Sequence, residues 1–113
     1  MATKKTVKAE STTTVKSDKD LYIVRATQAG VFFGEIEKKN DRSIVMRNVR
    51  KLWYWDGACA VEELAVNGVA KPSECKFTVW CDEIEVYDPA QIIKCTDKAV
   101  KSIKAVKVWS YND

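Results

Sequence analysis

The stretch Ser43–Trp55, written SIVMRNVRKLWYW, contains neither glycine nor proline and is dense in β-branched and aromatic residues. Such residues fit a pleated, half-buried surface, so this run is expected to form the longest strand of the chain. Successive side chains of a strand point to opposite faces. Trp53 and Trp55 are therefore expected on one face and Tyr54 on the other. Both faces then carry aromatic surface. One face is expected to be core, and the other is covered by a helix or offered to a partner. A bend is expected near Asn48–Lys51.

The flanking segments fit the same scheme. Leu21–Ala26 (LYIVRA) and Val31–Lys38 (VFFGEIEK) read as strands, with a turn at Lys39-Asn40-Asp41, so the first three runs make a meander. Gly34 interrupts the second run, which points to a bulge or a close backbone approach. Ala60–Asn67 carries Val61, Leu64 and Ala65 at helical spacing with Glu62 and Glu63 opposite; Asp56 is a candidate cap and Gly68 a candidate stop. Pro72 is expected to bar any return to helix. Cys75–Trp80, Glu83–Tyr87 and Ile92–Cys95 read as further strands. Thr96 is placed to cap a second helix over Asp97–Lys104, with Ala99, Val100 and Ile103 on one face. Val106–Tyr111 is expected to be a last strand. The fold class is therefore α+β: a small, mainly antiparallel sheet or barrel with two short helices.

Charge divides the chain in two. Residues 1–19 hold five lysines against two acids, whereas residues 20–113 hold 14 basic and 14 acidic side chains. The first segment is rich in Thr, Lys and Ser and has too little apolar surface to offset its ordering entropy. It is expected to be a flexible basic tail before a single compact domain over 20–113. An arm laid over neighbouring subunits is one use for such a tail. The neutral domain lacks the strong basic excess of many DNA-binding folds. The tail alone would release few counterions and bind a polyanion weakly. There is no apolar run of 18 residues or more, so no transmembrane helix is expected and no membrane partner. The lysine-bearing start lacks the apolar core of a secretory signal, so an intracellular setting is expected.

Catalysis is poorly supported. The chain has no histidine to act as a base near neutral pH, and its four glycines are too scattered for a phosphate-binding loop. Cys59, Cys75, Cys81 and Cys95 show no Cys-x-x-Cys pair, so no metal site and no cofactor is expected. They read as buried or half-buried free thiols. The carboxylate pairs Glu62-Glu63 and Glu83/Glu85 fit helix and strand exteriors. The acidic stretch Asp82–Asp88 reads as a solvated strand face, with the Arg50-Lys51 region as its other candidate neighbour.

The densest candidate site is Arg47–Ala58 (RNVRKLWYWDGA), with Arg47, Arg50, Lys51, Trp53, Tyr54 and Trp55 as the binding residues. Tryptophan, tyrosine and arginine are enriched at protein hot spots and also clamp single-stranded nucleic acid. The plainer reading is that these rings build the core of a small domain.

The segment Asn48–Phe77 resembles a family of small uncharacterised proteins encoded by bacteriophages and prophages. The resemblance is carried by Arg50, Lys51, Leu52, Trp53, Tyr54, Trp55, Gly57 and Ala58, then Leu64, Ala65, Gly68, Pro72, Cys75, Lys76 and Phe77. It extends more loosely to Val31–Gly34 and to Lys98–Trp109, covers roughly residues 21–110, and leaves the tail outside. It transfers no mechanism. It implies a phage or prophage origin and expression in the bacterial host cytoplasm, with incorporation in the virion as an alternative. In that setting the leading expectation is a non-enzymatic accessory module acting through protein contacts, with itself, another phage protein or a host protein, as a homo-oligomer. The alternatives are a structural virion protein using the tail as an arm, single-stranded nucleic-acid binding, and sequestration of a small ligand.

Overall fold

The computed structural model describes residues 19–111. The tail expected over residues 1–19 lies, except for Lys19, outside the described residues. Three strands open the chain: β1 (Tyr22–Ala26), β2 (Gly30–Lys39) and β3 (Ser43–Tyr54). They pair antiparallel in chain order, as the meander requires. Helix α1 (Val61–Asn67) and a 3-10 turn (Pro72–Glu74) follow. Then come β4 (Lys76–Phe77), β5 (Cys81–Tyr87), β6 (Pro89–Lys94) and α2 (Asp97–Ala105). The sheet order is β4-β3-β2-β1-β6, with β5 also pairing β3. This is the α+β class with an antiparallel sheet and two helices.

A single residue, Asp88, separates β5, which pairs β3, from β6, which pairs β1. Those strands lie on opposite sides of β2, so so short a link forces the sheet to curl. Asp88 also ties the turns together. Its N–H donates to Arg42 O at 2.7 Å, and its carbonyl accepts from Thr27 N at 3.1 Å.

The curl creates two cores. Inside it lie Val24, Ala26, Phe32, Ile44, Met46, Val49 and Val86, all from strands. Between the sheet's outer face and the helices lie Ile23, Phe33, Leu52, Leu64, Phe77, Ala99 and Ile103, among others. β3 contributes to both by changing register. Phe33 pairs Arg50 and Glu35 pairs Arg47, so Gly34 faces both Asn48 and Val49. Asn48 adopts φ 48°, a conformation asparagine tolerates better than most residues. The extra residue flips the side-chain parity: Ile44 and Met46 join the inner core, whereas Leu52 joins the outer one. A Cβ on Gly34 would lie 2.8 Å from the Val49 Cα, so the expected close approach is real.

The helices follow their apolar spacing. In α1, Val61, Leu64 and Ala65 are buried, and Gly68 at φ 76° ends the helix with its N–H on Leu64 O. In α2, the Thr96 hydroxyl accepts from Ala99 N at 3.1 Å, the expected cap.

Several boundaries differ from the sequence reading. Asp56 does not cap α1. The helix starts at Val61 with no side-chain bond at its Ala60 cap, and the Glu63 carboxylate instead accepts from Cys59 N at 2.8 Å. Pro72 does not bar helix either, because it sits in the first turn of a 3-10 segment, where no N–H is needed. The strand expected over Cys75–Trp80 is only Lys76–Phe77. The Phe77 and Thr78 carbonyls are taken by the Arg50 guanidinium at 3.2 and 3.1 Å. The last strand expected over Val106–Tyr111 reduces to one bridge between Val108 and Phe77, with Trp109 N donating to Phe77 O at 2.8 Å.

Candidate functional site

The predicted binding residues do not form one surface. Arg50 is fully buried at 0 % exposure, which removes it from any contact with a partner. Its four hydrogen bonds all go to backbone carbonyls: Thr78 O, Ile103 O and Val106 O at 3.1 Å, and Phe77 O at 3.2 Å. The guanidinium also lies 4.8 Å from the Trp80 ring and 5.4 Å from the Phe77 ring. Burial pushes its pKa down. Two of its acceptors stand at the end of α2, where the helix leaves carbonyls without intrahelical partners and carries partial negative charge. Arg50 thus joins β3, β4 and the end of α2 as a structural clamp.

Arg47 serves a different partner. Its guanidinium bridges Glu37 at 2.6 Å and Glu83 at 3.0 Å on the outer sheet surface. The hydrogen bond from Arg47 holds the Glu37 carboxyl below its ordinary value, and the same bond raises Arg47. The acidic stretch therefore faces Arg47 and, through Asp88 at 3.2 Å, Arg42 rather than the Arg50-Lys51 region. Glu85 accepts from the Ser43 hydroxyl at 2.8 Å. Lys51 lies over the Phe32 ring at 5.9 Å.

The three aromatics part company because β3 ends at Tyr54 and its register against β4 shifts between Leu52 and Tyr54. Trp53 is 55 % exposed and Tyr54 is 48 % exposed, whereas Trp55 is half-buried against the outer core. The rings do not collectively build the core. Trp53 instead stacks on Trp109, with centroids 5.0 Å apart and planes 26° from parallel. Lys76 Nζ sits 5.6 Å from each of the two rings. Trp109 also walls a cleft of about 420 Å³ with Pro72, Ser73, Cys75, Ala105, Lys107 and Val108. Next to it, Tyr111 is fully exposed.

Trp109 and Lys76 were not among the predicted contact residues. Lys76 falls in the family-like Cys-Lys-Phe pattern, but nothing in sequence spacing joins positions 53, 76 and 109. The Phe77–Val108 bridge does so by laying the chain end beside β4.

Three of the four cysteines are buried or half-buried free thiols as expected, and Cys59 is not. Cys59 is exposed, Cys75 and Cys81 are intermediate, and Cys95 is buried. Burial pushes the Cys95 thiol up to about 12, and burial also raises Cys75. Neither is poised as a nucleophile, because the thiolate is the reactive form. Among the described residues, no group of three or more Cys, Asp or Glu could hold a metal ion. Among them, too, no helix is long and apolar enough to cross a membrane.

Fold and surface together define a curled antiparallel sheet with two helices on its outer face and an aromatic-basic patch at the chain's end. The chain belongs to the DUF6948 family, a domain of unknown function whose model matches residues 19–103. No curated protein and no solved structure matches it. The match ends before Trp109, so half of the tryptophan stack lies beyond the family region.

Proposed function

We propose that this chain is a non-enzymatic, phage-encoded binding module whose contact face is built on Trp53, Trp109 and Lys76. One observation carries the reading: two tryptophans, 55 % and 42 % exposed, stack on each other outside both cores. Large rings held in solvent lose hydrophobic stabilisation that burial would supply. A partner that covers them recovers it, which is why tryptophan is enriched at binding hot spots. The phage or prophage setting rests on the resemblance of Asn48–Phe77. Contact with a second copy of the chain or with another protein is one use of these exposed rings, and light scattering tests it.

The test is thermal unfolding and light scattering of the full chain beside Trp53→Ala/Trp109→Ala and Phe77→Ala. The double variant is expected to lose only about 1–2 kcal/mol, since an aromatic pair adds about 0.5–1.5 kcal/mol beyond its area. Phe77→Ala is expected to lose about 3–5 kcal/mol, as a fully buried ring should. A double variant as unstable as Phe77→Ala would make the stack a stability element and end the contact-face reading. A wild-type mass that stays monomeric at every concentration would remove the homo-oligomer.

A further inference from the structure

We propose that the Trp53–Trp109 face takes single-stranded nucleic acid, with phosphates running along the lysine-bearing side of α2. This rests on the binding-module reading and names the partner class for the same face. The first observation is the orientation of α2. Ala99 and Ile103 are buried, and Lys98, Lys101 and Lys104 are all exposed on the opposite side. From Lys94 to Trp109 the chain carries five lysines and a single acid, Asp97. That acid sits in the first turn of α2, where the helix dipole offsets its charge.

The second observation is continuity. Lys107 lies two residues beyond the end of α2 and shares the cleft wall with Trp109, and Lys76 stands over both stacked rings. Lys107 and Lys76 are therefore the basic groups set beside the aromatic pair, with the α2 lysines preceding them in the chain. The third is the placement of acids elsewhere. Glu37 and Glu83 are held by Arg47, and Asp88 by Arg42, on the sheet surface. On the α2 side Lys94 is paired with Asp20 at 3.4 Å and Lys104 shares a pocket wall with Asp20, Glu35 and Asp97, so the basic character beside the rings rests on the exposed Lys98, Lys101 and Lys107 together with Lys76.

Lysines attract phosphates and release their counterions, while unstacked bases lie on exposed aromatic rings whatever their identity. A duplex hides those base faces, so the single strand is the form that fits. Lysine is depleted at protein–protein interfaces, so lysines set beside the rings favour a polyanion over a protein partner.

The experiment is fluorescence anisotropy of a labelled thymidine oligonucleotide of about 12 residues, titrated with the full chain at about 50 and about 200 mM salt. Binding is expected at the lower salt and should weaken steeply at the higher. Trp53→Ala/Trp109→Ala should weaken it about tenfold or more. The triple variant Lys98→Gln/Lys101→Gln/Lys104→Gln, folded by circular dichroism, should flatten the logarithmic salt slope by about 2. Absence of binding at low salt overturns the proposal. So does an affinity that the tryptophan variant leaves unchanged, because binding would then come from lysines alone, without bases stacked on the rings. Self-assembly of copies that depends on both tryptophans and ignores the oligonucleotide would assign the face to protein. If the tryptophan variant is stable but the oligonucleotide does not bind, only the partner class fails. If that variant unfolds like Phe77→Ala, the contact face itself fails.

Discussion

Among the described residues Arg50 is the largest fully buried side chain, and there its charge is met by carbonyl dipoles rather than by a carboxylate. A planar fork of five donors can reach four carbonyls at the ends of two elements, β4 and α2, at once; a lysine ammonium, with three donors at one point, cannot. Arg50→Met would strip the guanidinium from all four carbonyls, leaving Phe77 O its bond from Trp109 N and Ile103 O its bond from Val106 N, and is expected to cost about 3 kcal/mol or more in urea unfolding. Arg50→Lys should lose a comparable amount. Wild-type stability in Arg50→Lys would show that charge alone suffices and that the fork geometry is incidental. In the sequence, this arginine sits in a basic run and reads as a surface residue, because arginine is seldom fully buried. What draws it inward is a ring of carbonyls that exists only after β4 and the end of α2 have met.

At the scale of elements, most strands and both helices were legible because apolar spacing and caps are local signals. The Thr96 cap is an example. Its hydroxyl accepts from Ala99 N and donates to Val66 O at 2.6 Å, so one side chain starts α2 and ties it to the end of α1. Thr96→Ala is expected to lose about 1–2 kcal/mol by chemical denaturation, with Thr96→Ser recovering most of it. A Thr96→Ala protein as stable as the wild type would show that the α1–α2 contact, and not the cap, sets the helix start. The misread elements share one cause. Cys75–Trp80 and Val106–Tyr111 have strand-like composition, yet their hydrogen bonding is diverted to Arg50 and to a single parallel bridge. Local propensity cannot register a competitor that comes from 27 residues away in sequence.

For the whole molecule, Asp88 is where the sheet closes on itself. It adopts φ 55°, and its backbone bonds to Thr27 and Arg42 hold two turns together. Asp88→Gly keeps access to that conformation and is expected to stay within about 1 kcal/mol of wild type. Asp88→Val places a β-branched residue there and should lose about 2 kcal/mol or more. Both losses should come as one cooperative transition, because the two cores share β1, β2 and β3. Equal stability of the Gly and Val variants would show that the link tolerates either backbone and does not govern closure.

By itself the sequence determined the α+β class, the meander, the bulge at Gly34 and the buried faces of both helices. Each follows from interactions between residues close together in the chain. It also marked Trp53 as a candidate contact residue from composition alone. Only the tertiary structure decided that Arg50 turns inward, that Trp55 half-buries, and that Trp53 meets Trp109 and Lys76. Those outcomes depend on which distant carbonyls and rings arrive at the same place. A residue's own chemistry states what it needs for burial or exposure, and the chain's closure determines whether that need is met.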